Sequence, residues 1–192
     1  MNRHLYDSFA SRWYRGSTVW FYSDTHFGEP KMAELRHISD EEQIKLINSK
    51  IGKKDTIVIL GDVGNPELIK KIRGYKVLVM GNHDNGASNY TEIFDEVYEG
   101  PVMISDKIIL SHEPILNLPD YMYNIHGHVH FQSKENRYEY RYKYLNVCGD
   151  SIDYLPISIN QIVKSGLLKH LGDIHREAIE RGKARNGNTN LK

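Results

Sequence analysis

Apolar runs that stop on an aspartate, asparagine or histidine recur along this chain, and no other feature limits its fold as much. Residues 18–23 are β-branched and aromatic and run into Asp24-Thr25-His26, residues 56–60 into Gly61-Asp62, and residues 76–80 into Gly81-Asn82-His83-Asp84. Each run has the composition of a buried strand, and polar residues at strand ends are common site positions. Helix signals separate the runs. Ser39 followed by Glu42 is a capping box, and Ile44, Ile47 and Ile51 then recur at helical spacing, predicting a helix over 40–51. Asn65-Pro66 predicts a second helix start, running to Arg73 before Gly74 stops it. The result is βαβαβ alternation, the pattern of an α/β protein.

Beyond residue 93 the texture changes to short strands over 102–105, 107–110, 122–125 and 138–147, which predicts a second sheet. Two of them lead into Ser111-His112-Glu113-Pro114 and His126-Gly127-His128-Val129-His130. Ser158 caps a predicted helix over 159–171, a charged helix follows over 173–181, and residues 183–192 read as a polar tail. With 192 residues and no linker or repeat, a single domain over 1–182 is expected, its first 17 residues an N-terminal extension.

Charge narrows the partners. Lys plus Arg and Asp plus Glu both number 25, so no global field draws the chain to nucleic acid or membrane, and any attraction for anions must be local. No stretch approaches the roughly 20 apolar residues of a membrane span, and there is no apolar leader run, so a soluble cytoplasmic protein is expected. The lone Cys148 cannot form an internal disulfide, reads as a small buried strand residue, and suits a reducing compartment. Ten histidines are the informative count, because six sit in short polar clusters close to glycines.

Collected together, Asp24, His26, Asp62, Asn82, His112, His128 and His130 are candidate metal ligands. Oxygen and imidazole donors without thiolate suit Mn²⁺, Fe²⁺, Zn²⁺ or Mg²⁺. In an extended segment the i, i+2 spacing of Asp24 with His26, and of His128 with His130, puts each pair on one side. Seven donors exceed the needs of one tetrahedral ion and suffice for two ions sharing a carboxylate. Gly61, Gly81 and Gly127 each precede a donor, where a bare backbone permits a tight turn.

The order Asp24-x-His26, Gly61-Asp62, Gly81-Asn82-His83-Asp84, His112 and Gly127-His128-x-His130 resembles the calcineurin-like metallophosphoesterase superfamily. The resemblance implies a four-layer α/β/β/α sandwich of two mixed β-sheets flanked by helices, with a dinuclear metal site at the strand ends. It assigns Asp24, His26 and His130 to the first metal and Asn82, His112 and His128 to the second, with Asp62 bridging. It makes His83 a non-ligand histidine beside the scissile phosphate. A further likeness, over 146–158, is to small bacterial and viral members.

The chemistry so implied is hydrolysis of a phosphoester by in-line attack of a metal-bridging hydroxide. Mn²⁺ is the leading metal, with Fe, Zn, Ni or Mg as alternatives. His83 would assist the leaving group, Asn82 and His83 would bind the phosphate, and Asp84 would orient His83. Protein Ser/Thr phosphatases of the superfamily carry an Asp-Arg pair shortly after the Gly-Asp block, whereas Val63-Gly64-Asn65-Pro66 follows here. That departure favours a small phosphodiester. A nuclease acting on strand ends is the alternative, and residues 137–144, which alternate charge with tyrosine, would then contact bases. A catalytically inactive binding module is the second alternative. His126 reads as a residue supporting the ligands from behind or as structural, and His4, His37, His170 and His175 as surface residues.

Overall fold

The structure, a computed structural model, describes residues 9–131 and 143–171 together with Ile179, Lys183 and Ala184. Strands β1 (Val19–Tyr22), β2 (Thr56–Ile59) and β3 (Tyr75–Val79) are the three apolar runs, and they pair in parallel. All four residues of β2 are buried, as a strand covered on both faces requires. β4 (Glu96–Tyr98) extends this sheet in parallel beside β3, and β9 (Ile157–Ser158) closes its other edge antiparallel to β1. Among the described residues the order is therefore β4-β3-β2-β1-β9. The second sheet contains β5 (Val102–Met103), β6 (Ile108–Leu110), β7 (Tyr123–His126) and β8 (Tyr144–Asn146). There β6, β7 and β8 are parallel and β5 is antiparallel to β6. Both sheets are mixed, and side chains of both share one apolar core, with Phe21, Val58 and Leu78 from one and Leu110, Tyr123 and Ile125 from the other.

Helix α3 (Asp40–Lys50) has its capping box in place, Glu42 N–H donating to Ser39 Oγ, and buries Ile44 and Ile47 in that core. Two helices precede it. α1 (Phe9–Tyr14) lies in the expected extension and is tied to the body: Phe9 is buried in the core, and Arg12 sits 4.1 Å over the Tyr75 ring and donates to Thr56 Oγ1. α2 (Pro30–Arg36), which sequence reasoning missed, begins on a proline and ends at His37, in the left-handed region at φ 51°.

Two helix expectations are corrected. The segment after Asn65 is a 3-10 helix, Pro66–Lys71, because few residues separate the Asp62 turn from β3. α4 (Ile159–Ser165) stops short of Leu171 because Gly166 caps it at φ 77°, and a 3-10 turn, Leu167–His170, follows. β4 and β9, at three and two residues, were too short to carry a period. The charged helix over 173–181 apart from Ile179, most of the tail over 183–192 and residues 137–142 of the tyrosine ribbon lie outside the described residues. No described helix is long and apolar enough to cross a membrane.

Candidate metal centre

Three parallel strands of one sheet and two of the other deliver their carboxyl ends to one place. Asp24 follows β1, Asp62 follows β2, Asn82 follows β3, His112 follows β6, and His128 and His130 follow β7. The two sheets touch there, since Ser23 bridges Cys148 in parallel and Gly149 N–H donates to the Ser23 carbonyl at 3.1 Å. Ligand crevices of α/β proteins form at such strand ends.

The backbone is turned for this purpose. Asp24, His26, Asp62 and His128 have φ of 58°, 45°, 53° and 66°, a left-handed conformation that costs a non-glycine residue energy and persists where the surroundings hold it. The extended-segment geometry expected of the Asp24/His26 and His128/His130 pairs therefore does not hold. His128 and His130 instead face different groups. Gly61 is also left-handed, but Gly81 and Gly127 are not, and their need for a bare Cα is steric. A Cβ on Gly127 would run into Ser23 and the Asp24 carboxylate, and one on Gly81 into Asp62 and His112.

Around Asp62, His112 Nδ1 lies 2.7 Å from the Leu60 carbonyl, so in the neutral ring Nδ1 carries the proton and Nε2 a lone pair. That Nε2 sits 2.9 Å from Asn82 Oδ1, 3.1 Å from His128 Nδ1 and 3.4 Å from Asp62 Oδ2. Acceptors gathered at these distances repel unless a proton or a metal cation lies among them. In the metal-free protein the proton serves. Burial alone would lower the His112 pKa, but the Asp62 and Asp24 carboxylates and the Leu60 carbonyl outweigh it and raise it to about 9. Burial would likewise raise Asp62, whose pKa is instead held low, chiefly by His112 and the His83 amide.

Around Asp24, the second group has donor atoms left bare. His26 Nδ1 is bound to Glu29 at 3.0 Å, which turns Nε2 toward Asp62 Oδ2 at 3.7 Å and Asp24 Oδ1 at 4.0 Å. His130 Nδ1 is bound to Asp150 at 2.8 Å, which turns its Nε2 toward Asp24 Oδ1 at 3.4 Å. Asp24 Oδ1 and His26 Nε2 are buried and find no hydrogen-bond partner among the described residues. Buried polar atoms are rarely left so, and two lone-pair donors aimed at one space fit a divalent cation. Asp24, His26 and Asp62 place ligand atoms within 4.8 Å of one another, as do Asp62, His112 and His128. Asp62 is common to both sets.

His83 and Asn82 are exposed beside these groups, with the His83 ring 5.9 Å from that of His26 and its N–H donating to Asp62 Oδ1. Asp84 does not stand where sequence reasoning put it. Its buried carboxylate accepts from the N–H groups of Gly81 (2.8 Å), Asp62 (3.0 Å) and Val63 (3.0 Å) and from the Tyr90 hydroxyl (3.2 Å). It fastens the Asp62 turn to the Asn82 turn, and no described bond joins it to His83. A groove of about 430 Å³ opens from Asn82 and His112 and passes Met80, Glu99, Glu113 and Ile115.

Residues missed in the sequence shape this centre. Arg36 and Asp150 lie behind His130. Buried Asn124 donates to Ser111 Oγ and accepts from Ile115 N–H, fixing the His112 loop. Asn146 donates to the Val129 carbonyl between the two histidines. Buried amides at strand positions that read as apolar were the available signal. His126 is buried, its Nδ1 bound to the Gly127 carbonyl, as a structural histidine would be.

A family model described as calcineurin-like phosphoesterase matches residues 17–186. The chain is 34% identical over 83 residues to the gene 66 protein of Mycobacterium phage L5, a match spanning 35% of this chain and 40% of the phage protein. It is 29% identical over 168 residues to an uncharacterized protein of Methanocaldococcus jannaschii, covering 76% of this chain and 89% of that one. A crystal structure of a protein of unknown function from Aquifex aeolicus superposes with a TM-score of 0.63 at 28% identity, covering 78% of this chain and 99% of the other.

Proposed function

This chain belongs to the calcineurin-like phosphoesterase family, whose members are metal-dependent phosphoester hydrolases, and from that premise we propose that it is a dinuclear phosphodiesterase acting on a small substrate. The fold reading that goes with it is the four-layer sandwich with both sheets inside. The observation that carries the proposal is the pair of bare, buried donors Asp24 Oδ1 and His26 Nε2, next to the lone pairs gathered on Asp62, Asn82, His112 and His128. Asp24, His26 and His130 would hold one ion, Asn82, His112 and His128 the other, and Asp62 both.

Bound there, two divalent ions, Mn²⁺ foremost, supply Lewis acidity toward phosphate and a water acidic enough to ionise near neutral pH. The chain's own residues supply the rest. Asp62, held by the His83 amide at 3.1 Å, cannot swing away from the space between the two groups. Exposed His83 donates a proton to the leaving oxygen, and exposed Asn82 orients the phosphate. Carboxylates choose the substrate charge. Glu99 and Glu113 line the groove, and no lysine or arginine among the described residues does, so a singly charged diester is penalised less there than a dianionic monoester or a nucleic-acid strand. Tyr144, the described end of the tyrosine ribbon, spends its hydroxyl on the Ile115 carbonyl at 2.7 Å, which does not favour the nuclease reading.

The test is hydrolysis of bis(p-nitrophenyl) phosphate and p-nitrophenyl phosphate with Mn²⁺ and with EDTA. Diester cleavage that needs Mn²⁺ and exceeds monoester cleavage is expected. A folded, Mn²⁺-loaded protein that cleaves neither compound refutes the proposal, and so does Asp62→Asn with wild-type turnover.

A further inference from the structure

His130 is the donor with the deepest support behind it. Its Nδ1 lies 2.8 Å from Asp150 Oδ2, 3.1 Å from Arg36 Nη2 and 3.3 Å from Cys148 Sγ; the carboxylate is the strong acceptor among the three, and its other oxygen accepts from Phe131 N–H at 2.8 Å. Asp150 Oδ2 in turn lies 3.1 Å from Arg36 Nη2, and both side chains of that pair are 2% exposed. Arg36 reaches forward as well: Nη1 donates to the backbone carbonyls of Asp24 at 2.9 Å and Thr25 at 3.3 Å. One buried guanidinium thus grips the strained Asp24-Thr25-His26 turn with one nitrogen and the carboxylate behind His130 with another. Burying two charges is costly, and replacing such a pair by apolar residues is often neutral or stabilising, so core stability does not explain this one.

Among the described residues no ion pair stands behind the side chains of the other group. His128 and Asn82 are exposed, and His112 rests on a backbone carbonyl.

We propose that Arg36 and Asp150 are a positioning pair for the metal position formed by Asp24, His26 and His130. Asp150 holds His130 in the tautomer that leaves Nε2 free to bind a cation, and Arg36 locks the carboxylate and the Asp24 turn in one geometry. A partner of this kind typically changes metal affinity by about 10–100-fold. This inference rests on the dinuclear reading above and adds that the two positions respond separately to one substitution.

The probe is Mn²⁺ alone. The full-length protein is stripped with EDTA, and Mn²⁺ uptake is followed by titration calorimetry for wild type, Asp150→Asn and Arg36→Lys, with urea unfolding of each metal-free form. Asp150→Asn removes the charge and leaves one acceptor oxygen where Phe131 N–H and the His130 ring had one each. One of two Mn²⁺ equivalents should weaken by about 10–100-fold, with the other changed by less than about twofold. Arg36→Lys keeps the charge and loses the two-way grip, and should weaken the same equivalent less. It carries the test alone if Asp150→Asn does not fold. Wild-type affinity at both positions in both variants overturns the inference. So does equal weakening of both positions, or lower metal-free stability with unchanged uptake, since each makes the pair structural. A wild type that takes up no Mn²⁺ refutes the dinuclear reading itself, whereas two equivalents bound with wild-type affinity by every variant refute only the positioning role.

Discussion

Replacing Asp84 by asparagine separates a fastening role from a chemical one. The carboxylate accepts four hydrogen bonds, two at each oxygen: Gly81 and Asp62 N–H at Oδ2, Val63 N–H and the Tyr90 hydroxyl at Oδ1. An amide supplies one acceptor oxygen and one donor nitrogen. Its cheaper orientation puts nitrogen at the Oδ1 position, where the Tyr90 hydroxyl can turn to accept and only Val63 N–H is stranded. Stranding one buried N–H costs about 1–3 kcal/mol, and losing charge assistance at the remaining two bonds adds about 1 kcal/mol. The expected loss is about 2–4 kcal/mol, a sizeable share of the roughly 5–15 kcal/mol that holds a domain of this kind together. For a chain of this length that is a fall in Tm of about 5–15 °C.

Urea unfolding of the metal-free protein reads the energy, and diester turnover across pH reads the chemistry. At a temperature where Asp84→Asn stays folded, its pH-rate profile should keep the wild-type shape, because the residue touches no exchanging proton. A loss below about 0.5 kcal/mol combined with a turnover loss above about 100-fold would refute this reasoning and return Asp84 to the role of partner to His83.

Three further outcomes follow from the same geometry. His83→Ala should keep both Mn²⁺ equivalents and slow turnover by about 10²–10⁴-fold for poor leaving groups and less for p-nitrophenolate, and loss of metal instead would make His83 a ligand. Gly127→Ala should destabilise the metal-free protein by about 1–3 kcal/mol and weaken Mn²⁺ binding, because its Cβ has no room beside Ser23 and Asp24, and an unchanged Tm would contradict the packing. The third concerns pH. With the His112 pKa raised from 6.5 to about 9 in the folded metal-free protein, its contribution to stability is fully present below pH 6.5 and lost as pH rises through about 9. Mn²⁺ must displace that proton, so Mn²⁺ affinity should rise with pH over the same window, and His112→Asn should flatten the metal-free stability curve there.

The sheet strands that build the centre were legible because each is an apolar run closed by a polar residue, and such runs are long enough to show a period. α3 was legible from Ser39 and Glu42. What could not be read were elements whose stability comes from the partner they lie against: β4 and β9 are sheet edges of three and two residues, and α2 is a seven-residue helix with a single buried side chain, Arg36. Asp84, expected to orient His83, could not be placed from sequence, because the turn at Asn82 sends its carboxylate inward to the backbone of Gly81, Asp62 and Val63.

Donor chemistry is a property of residue type and order, and the sequence by itself determined it: seven oxygen and imidazole donors, glycines before three of the turns, no thiolate among them, and no net charge. The tertiary structure decided how those donors divide. His128 and His130 lie two residues apart, yet the left-handed turn at His128 sends one ring to His112 and the other to Asp24. It also decided what stands behind them. Glu29, Leu60 and Asp150 fix three imidazoles, and Arg36 joins Asp150 to a turn twelve residues before it in the chain. Orientation of a ring nitrogen depends on what its other nitrogen touches, and that contact comes from elements that only the packed sheets bring together.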